Sequence, residues 1–219
     1  MTDEPKLSRR ERERLNRRQW VLDAALDVFS EKGYEGASMQ EIAQRAEFSV
    51  GTLYSLFESK EALYRALLIE RALKAGRAFM AALESAEDEE ERLRAFIRVK
   101  GEVFQDNLKA LKLYFSETAG VSLNPTAGLV SDLRQLYERM IPRLAAIFRS
   151  GIEKGKFRDF DPTDLAIAFD GLTNIFLFYW AEYPEQFPYE EKAEVIARIF
   201  FDAVRAPQGA AETRPRQRG

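Results

Sequence analysis

Apolar residues recur every three to four positions along most of this chain, the spacing of one buried helix face, so the pattern predicts helices throughout. A first helix grows from about Arg9 and shows its apolar face at Val21, Leu22, Ala25, Leu26, Val28 and Phe29, with Gly33 as a left-handed stop. Two short helices follow, one with Ile42, Ala43 and Ala46 facing inward, the next with Leu53, Leu56 and Phe57. A long helix then runs from Ser59 to about Ala86, roughly 40 Å at the usual rise. Beyond it, Leu93 to Phe104 and Leu108 to Phe115 read as two amphipathic helices broken near Asp106 and Asn107. Asn124 and Pro125 mark a loop. A helix from about Leu129 to Ile152 carries Pro142, which predicts a kink or a break. Asp161, Pro162 and Thr163 open another helix, apolar nearly all round toward its end, and Glu190 to Arg205 forms the last. The fold class is therefore all-α.

The most informative stretch is residues 38–60, SMQEIAQRAEFSVGTLYSLFESK. Ser38 and Glu41 form a capping box, in which hydroxyl and carboxylate each take a backbone N–H left unpaired at a helix start. Ser49 caps the second short helix, and Ser59 the long one. The face opposite Leu53 and Phe57 carries Val50, Gly51, Thr52, Tyr54 and Ser55, small or hydrogen-bonding and uncharged. Such a face suits a helix lying in the major groove, where small residues let the backbone approach base edges. Chemistry alone also allows a plain helical hairpin.

The literal residues go further. The run S-x-x-E-I-A followed by S-V-G-T-L-Y-S-L-F-E-S-K-E-A-L resembles the DNA-binding segment of TetR-family transcriptional regulators. The likeness reaches back through Ala24, Ala25, Phe29, Gly33 and Tyr34, covering about residues 16–68. It implies an N-terminal three-helix DNA-binding bundle with a helix-turn-helix, followed by a C-terminal helical ligand-binding and dimerisation bundle. It further implies double-stranded DNA as partner. On this likeness the DNA-binding set is Ser38, Gln40, Ser49, Val50, Gly51, Thr52, Tyr54, Ser55 and Lys60. Tyr54 and Lys60 would hold phosphates, Val50 and Thr52 would meet base edges, and Gln40 could pair with adenine. Lys60 sits in the first turn of its helix, where a cation opposes the dipole, a cost that a shared phosphate would explain. One position departs from the family pattern: Glu47 stands where a glycine is usual, and a left-handed turn there would strain it by about 1 kcal/mol.

Composition narrows the function. The chain of 219 residues has no cysteine and no histidine, which removes a disulfide framework, a thiolate nucleophile, and the commonest general base and metal ligand. No enzyme activity, cofactor or metal is expected, and a reducing cytoplasm is the expected location. No apolar run is long enough to span a bilayer, so no membrane partner is expected. The net charge of −3 argues against DNA, but the charge is unevenly placed. From Lys6 to Arg18 seven basic residues stand against two acidic ones, a local arm that can engage phosphates.

Past residue 87 the aromatic load suggests space for a small hydrophobic effector among Phe96, Phe104, Tyr114, Phe115, Phe148, Phe176 and Tyr179. Asp170, Thr173 and Asn174 interrupt an apolar helix, and as buried polar groups they are expected to face a ligand or a second subunit. The resemblance implies a homodimer, its contact assigned to Gly171, Leu172, Ile175, Ile196, Ile199 and Phe200. The acidic cluster Glu87 to Glu91 reads as a loop and negative first turn rather than a metal site, and residues 151–156, GIEKGK, as a helix terminus. The expected domains are an arm and helix-turn-helix over 1–58, an effector and dimerisation domain over 59–206, and a disordered tail over 207–219. The function expected is a homodimeric repressor released from a palindromic operator by a small apolar or aromatic effector. The alternative is a helical ligand-binding or adaptor protein that does not bind DNA.

Overall fold

The computed structural model describes residues 8–110, 139–186 and 188–207. Eight helices are named within them: α1 Arg9–Gly36, α2 Met39–Arg45, α3 Val50–Leu56, α4 Lys60–Leu83, α5 Glu89–Asp106, α6 Met140–Glu153, α7 Pro162–Glu182 and α8 Tyr189–Val204. Among the described residues the only extended pairing is an isolated bridge between Phe157 and Arg205, so the fold is all-α. Tyr114, Phe115, the loop at Asn124 and Pro125, the expected helix start at Leu129, and residues 208–219 of the expected tail lie outside the described residues.

The chain divides into two units. The described part of the first comprises residues 8–72 and 107–110. Its core joins Val21, Leu22, Ala25 and Phe29 of α1 to Ile42 and Ala43 of α2, Leu53 of α3, and Leu63 and Leu67 of α4. Gly33 has a φ of 71° and breaks α1 where the sequence places its stop. Tyr34 then packs back on Phe29 and Tyr64, at ring separations of 5.9 and 4.9 Å.

The turn from α2 to α3 follows from hydrogen bonds rather than from a glycine. Phe48 N–H donates to Ala43 O at 2.9 Å and Glu47 N–H to Gln44 O at 3.2 Å, the paired bonds of a Schellman motif. That motif requires a left-handed residue between helix end and exit, and Glu47 supplies it with a φ of 59°. A side chain costs energy there that glycine avoids. Glu47→Gly is expected to raise the stability of this unit by up to about 1 kcal/mol, read as a higher urea midpoint at unchanged slope; an unchanged or lower midpoint would show that the turn stores no strain.

The second unit contains residues 73–106 and the described residues beyond 138. Pro142 lies in the first turn of α6, where its missing N–H would have no helical partner. The GIEKGK segment closes α6 in the same manner as α2: Lys156 N–H reaches Gly151 O at 2.8 Å and Gly155 is left-handed at φ 70°. Stacked and edge-on rings of Phe96, Phe148, Phe157, Phe169, Phe200 and Phe201 fill the interior.

The acidic start of α5 is a clamp on the end of α6. Glu89 is buried and accepts from Ser150 Oγ at 2.7 Å, from Lys156 Nζ at 2.7 Å and from Lys154. Asp88 takes Lys156 at 2.5 Å, while Arg205 and Arg94 both reach Glu90. Burial works to raise the Glu89 carboxyl, but the lysines and Ser150 outweigh it and hold it well below the ordinary carboxylate range. A carboxyl depressed in the fold stabilises above its unfolded pKa and loses that contribution as pH falls. Stability of wild type is therefore expected to decline as pH drops through the carboxylate range. Glu89→Gln should be less stable at neutral pH and show a shallower acid decline, checked by thermal melts from neutral to acid pH; parallel profiles would exclude Glu89 as the source.

Candidate nucleic-acid interface

The face of α3 emerges from its burial pattern. Leu53 and Phe57 are buried and anchor the helix, while Ser49, Gly51, Tyr54 and Ser55 are exposed and Val50 and Thr52 half-buried. Ser49 Oγ accepts from Thr52 N–H at 3.1 Å and lies 2.8 Å from Thr52 Oγ1, so the cap and the face share one hydrogen-bonded start. Tyr54 stands half in solvent, and Gln40 on α2 is exposed. Ser38 is placed differently from the others: its hydroxyl gives its hydrogen to Glu41 at 2.8 Å and accepts from Glu41 N–H at 3.2 Å, completing the expected capping box. Ser38 therefore sets the start of α2 from within.

A second capping box, Ser8 with Glu11, starts α1 and carries the basic arm. The S-x-x-E signal of this box stands in the sequence at Ser8 and Glu11, immediately before the expected helix start at Arg9. Arg9 pairs with Glu13 and Arg18 with Glu70, Arg18 also lying over the Phe57 ring. Arg10, Arg12, Arg14 and Arg17 are exposed and make no ion pair among the described residues. Arg10, Arg14 and Arg17 are spaced four and three apart, so they share one face of α1.

Lys60 is the residue whose surroundings differ most from expectation. Its ammonium donates to the carbonyls of Tyr34 at 2.8 Å, Ala37 at 3.1 Å and Glu35 at 3.4 Å, and lies 4.5 Å from the Tyr34 ring centre. The three N–H groups of the ammonium thus have partners inside the domain.

In the second unit the expected ligand residues separate into groups. Phe96 and Phe148 are fully buried, each packed against Phe169, and so belong to the aromatic interior. Phe104 and Phe176 are half-buried, and Tyr179 is exposed. Asp170 finds its partner in its own chain: Lys100 Nζ, itself buried, donates to Asp170 Oδ1 and to Thr173 Oγ1, both at 2.8 Å. Asn174 closes the group by donating to Asp170 Oδ2 at 2.8 Å. The expectation that these polar groups need a ligand or a second subunit is thereby corrected; the sequence held no sign that Lys100 would meet them. Burial drives the Lys100 pKa below the ordinary lysine value, and Asp170 opposes that shift.

The expected dimer residues also divide. Gly171, Ile175 and Ile199 are exposed and Leu172 half-buried. Ile196 and Phe200 are buried instead, Phe200 with its ring against Phe148 and Phe169, because the helix turns them onto the core. The outer face of α7 is more extensive than the expected set. Ile167, Gly171, Ile175, Tyr179 and Tyr183 follow each other at intervals of four, and all are exposed.

Among the described residues no helix is long and apolar enough to cross a membrane, and no group of three or more acidic side chains is arranged to hold a metal. Residues 21–67 match the family described as bacterial regulatory proteins, tetR family. The HTH-type transcriptional regulator RutR of Escherichia coli K12 is 30% identical over 189 residues, covering 83% of this chain and 82% of its own. The fold resembles that of FadR from Bacillus subtilis, solved with stearoyl-CoA, at a TM-score of 0.68 and 18% identity, covering 84% of this chain and 97% of FadR. It also resembles AibR, solved with isovaleryl coenzyme A and operator DNA, at a TM-score of 0.64 and 21% identity, covering 84% and 98% of the two chains.

Proposed function

Because this chain belongs to the TetR family and is a DNA-binding transcriptional regulator, we propose that it is a homodimeric repressor released from a palindromic operator by a small molecule with an apolar or aromatic body. The observation that carries the DNA contact is the uncharged, exposed face of α3 on a rigid hydrogen-bonded turn, accompanied by an exposed arginine face on α1. In this reading Val50, Gly51, Thr52 and Ser55 meet base edges, Ser49 and Tyr54 take phosphates, and Gln40 reads from α2. Arg10, Arg14 and Arg17 reach backbone or minor groove. The protein works in the cytoplasm, where its DNA lies.

Dimerisation is supported by the exposed apolar stripe of α7, whose glycine permits close approach of a second copy. Two reading heads must stand about 34–36 Å apart, or a multiple of that, to read a palindrome. An apolar effector between about residues 93 and 180 is supported by the aromatic interior, and by the acyl thioesters bound to FadR and AibR, which share the fold. The ligand must bind the DNA-free form more tightly, since equal affinity for both forms would shift nothing. α4, whose residues belong to both units, is the connecting element.

The test is a gel shift against the DNA upstream of the protein's own gene, followed by addition of acyl-CoA thioesters and of flat aromatic compounds. A salt-sensitive, sequence-selective shift that one of these compounds reverses is expected. Binding that no apolar compound reverses would remove the effector, and absence of a selective shift would remove the repressor.

A further inference from the structure

The first unit is electrically two-sided along α1. Residues 9–18 carry six arginines against two glutamates, a net charge of +4, and Arg10, Arg12, Arg14 and Arg17 are exposed. Residues 19–48 carry six carboxylates against two cations, a net charge of −4. Within that acidic stretch a groove of about 530 Å³ lies between α1 and the turn from α2 to α3. Its lining includes Trp20, 59% exposed and stacked on Phe48 at 6.4 Å, and the carboxylates of Asp23, Asp27 and Glu47. Arg71 pairs with Asp23 and Lys109 with Asp27, while Arg45 is held by Glu31. Among the described residues no cation stands within ion-pair distance of Glu47. Glu47 is also the residue kept left-handed, at φ 59°, where glycine would sit more easily. Strain retained at a side chain is characteristic of positions with a use.

We propose that this groove receives the basic arm of a second copy of the chain, one arginine covering the Trp20 ring and others meeting Glu47 and Asp23. An exposed indole face beside carboxylates suits a guanidinium, which stacks and pairs at once. The chain's own arm cannot fold back onto it. α1 is unbroken from Arg9 to Lys32, and Arg14 and Arg10 stand about 9 and 15 Å before Trp20 along its axis. A second α1 running antiparallel meets no such bar. Arm then lies on groove twice, once in each direction, so two weak contacts add within one two-fold pairing. The arm is also the segment read as engaging phosphates, so DNA competes with the groove for it and releases the pairing. The contact goes beyond the DNA reading and stands without it; only its release by DNA rests on that reading.

Sedimentation velocity of the DNA-free full chain, over a range of concentrations, should show association at low salt beyond that present at high salt, where screening removes it. A chain without salt-sensitive association would overturn the proposal outright. Glu47→Gly should lower the association constant about three- to tenfold, the scale of exposed ion pairs and cation–π contacts, while the turn itself gains stability. Trp20→Ala should act likewise. Arg14→Glu and Glu47→Arg should each abolish the low-salt association, and an equimolar mixture of the two should restore it, because opposite charges then face each other in both directions. Unchanged association in Glu47→Gly and Trp20→Ala, or a mixture that stays dissociated, would overturn the groove as the seat of the arm. Trp180 is the one other tryptophan, so emission in a Trp180→Phe background reports Trp20 alone. It should shift to the red on dilution at low salt, and also at fixed concentration when excess scrambled duplex is added. No shift on dilution would place the association elsewhere and overturn the proposal. A shift on dilution with none on adding duplex would keep the pairing and overturn its competition with DNA.

Discussion

Ile175→Asp is expected to give a folded monomer that has lost operator binding. Ile175 is 61% exposed and lies at the middle of the α7 stripe, two helical steps from either end. In the separate chain the aspartate would remain in water and disturb little. In a dimer closed over the apolar stripe it would be buried, and a buried charge is costly unless it is paired. Each half-site contact then acts alone, and the gain from tethering two heads, about 10²- to 10⁴-fold, is lost. Ile199→Asp, at a position 50% exposed on α8, should act likewise. Phe200→Asp should not: that ring packs on Phe148 and Phe169, so the bundle itself would fail. Sedimentation velocity, helical content and gel shift on the same samples separate these cases. A dimer that survives Ile175→Asp with operator affinity intact would sink the α7 interface.

What was legible in the sequence was local. Ser38 with Glu41, Ser49, Ser59 and Asp161 announce helix starts because the chemistry of a cap is completed within three residues. Glu47 was readable as a strained position for the same reason, since the motif around it closes within six residues. The partners of Lys60, Glu89 and Asp170 were not legible, because each lies some twenty to seventy positions away and no spacing rule links them. On α8 the failure was one of rotation. Ile196, Ile199 and Phe200 all fit an apolar stripe, yet about 100° per residue separates a position in the core from one on the surface. The family likeness supplied the DNA reading, which residue chemistry alone had left behind a plain helical hairpin.

Asp170→Leu is expected to be the most destabilising single change in the second unit. Lys100 is only 4% exposed and donates to the Asp170 carboxylate at 2.8 Å, while Thr173 offers it a neutral oxygen. Removing one member of a buried pair leaves the other uncompensated, at a cost of about 3–5 kcal/mol, whereas removing both is often close to neutral. Lys100→Met with Asp170→Leu should therefore recover most of the stability lost in the single variant, since the paired side chains have long apolar substitutes. The pH dependence carries a further sign. Burial already depresses the Lys100 pKa, and removing Asp170 takes away the attraction that opposes that shift. Between the lowered folded pKa and the ordinary lysine value the unfolded chain holds more protons, so stability of Asp170→Leu should rise with pH across that interval. Urea midpoints at several pH values, for wild type and the three variants of the cycle, measure both effects. If the double variant is as unstable as Asp170→Leu alone, the loss comes from packing around residue 170 and not from a stranded ammonium.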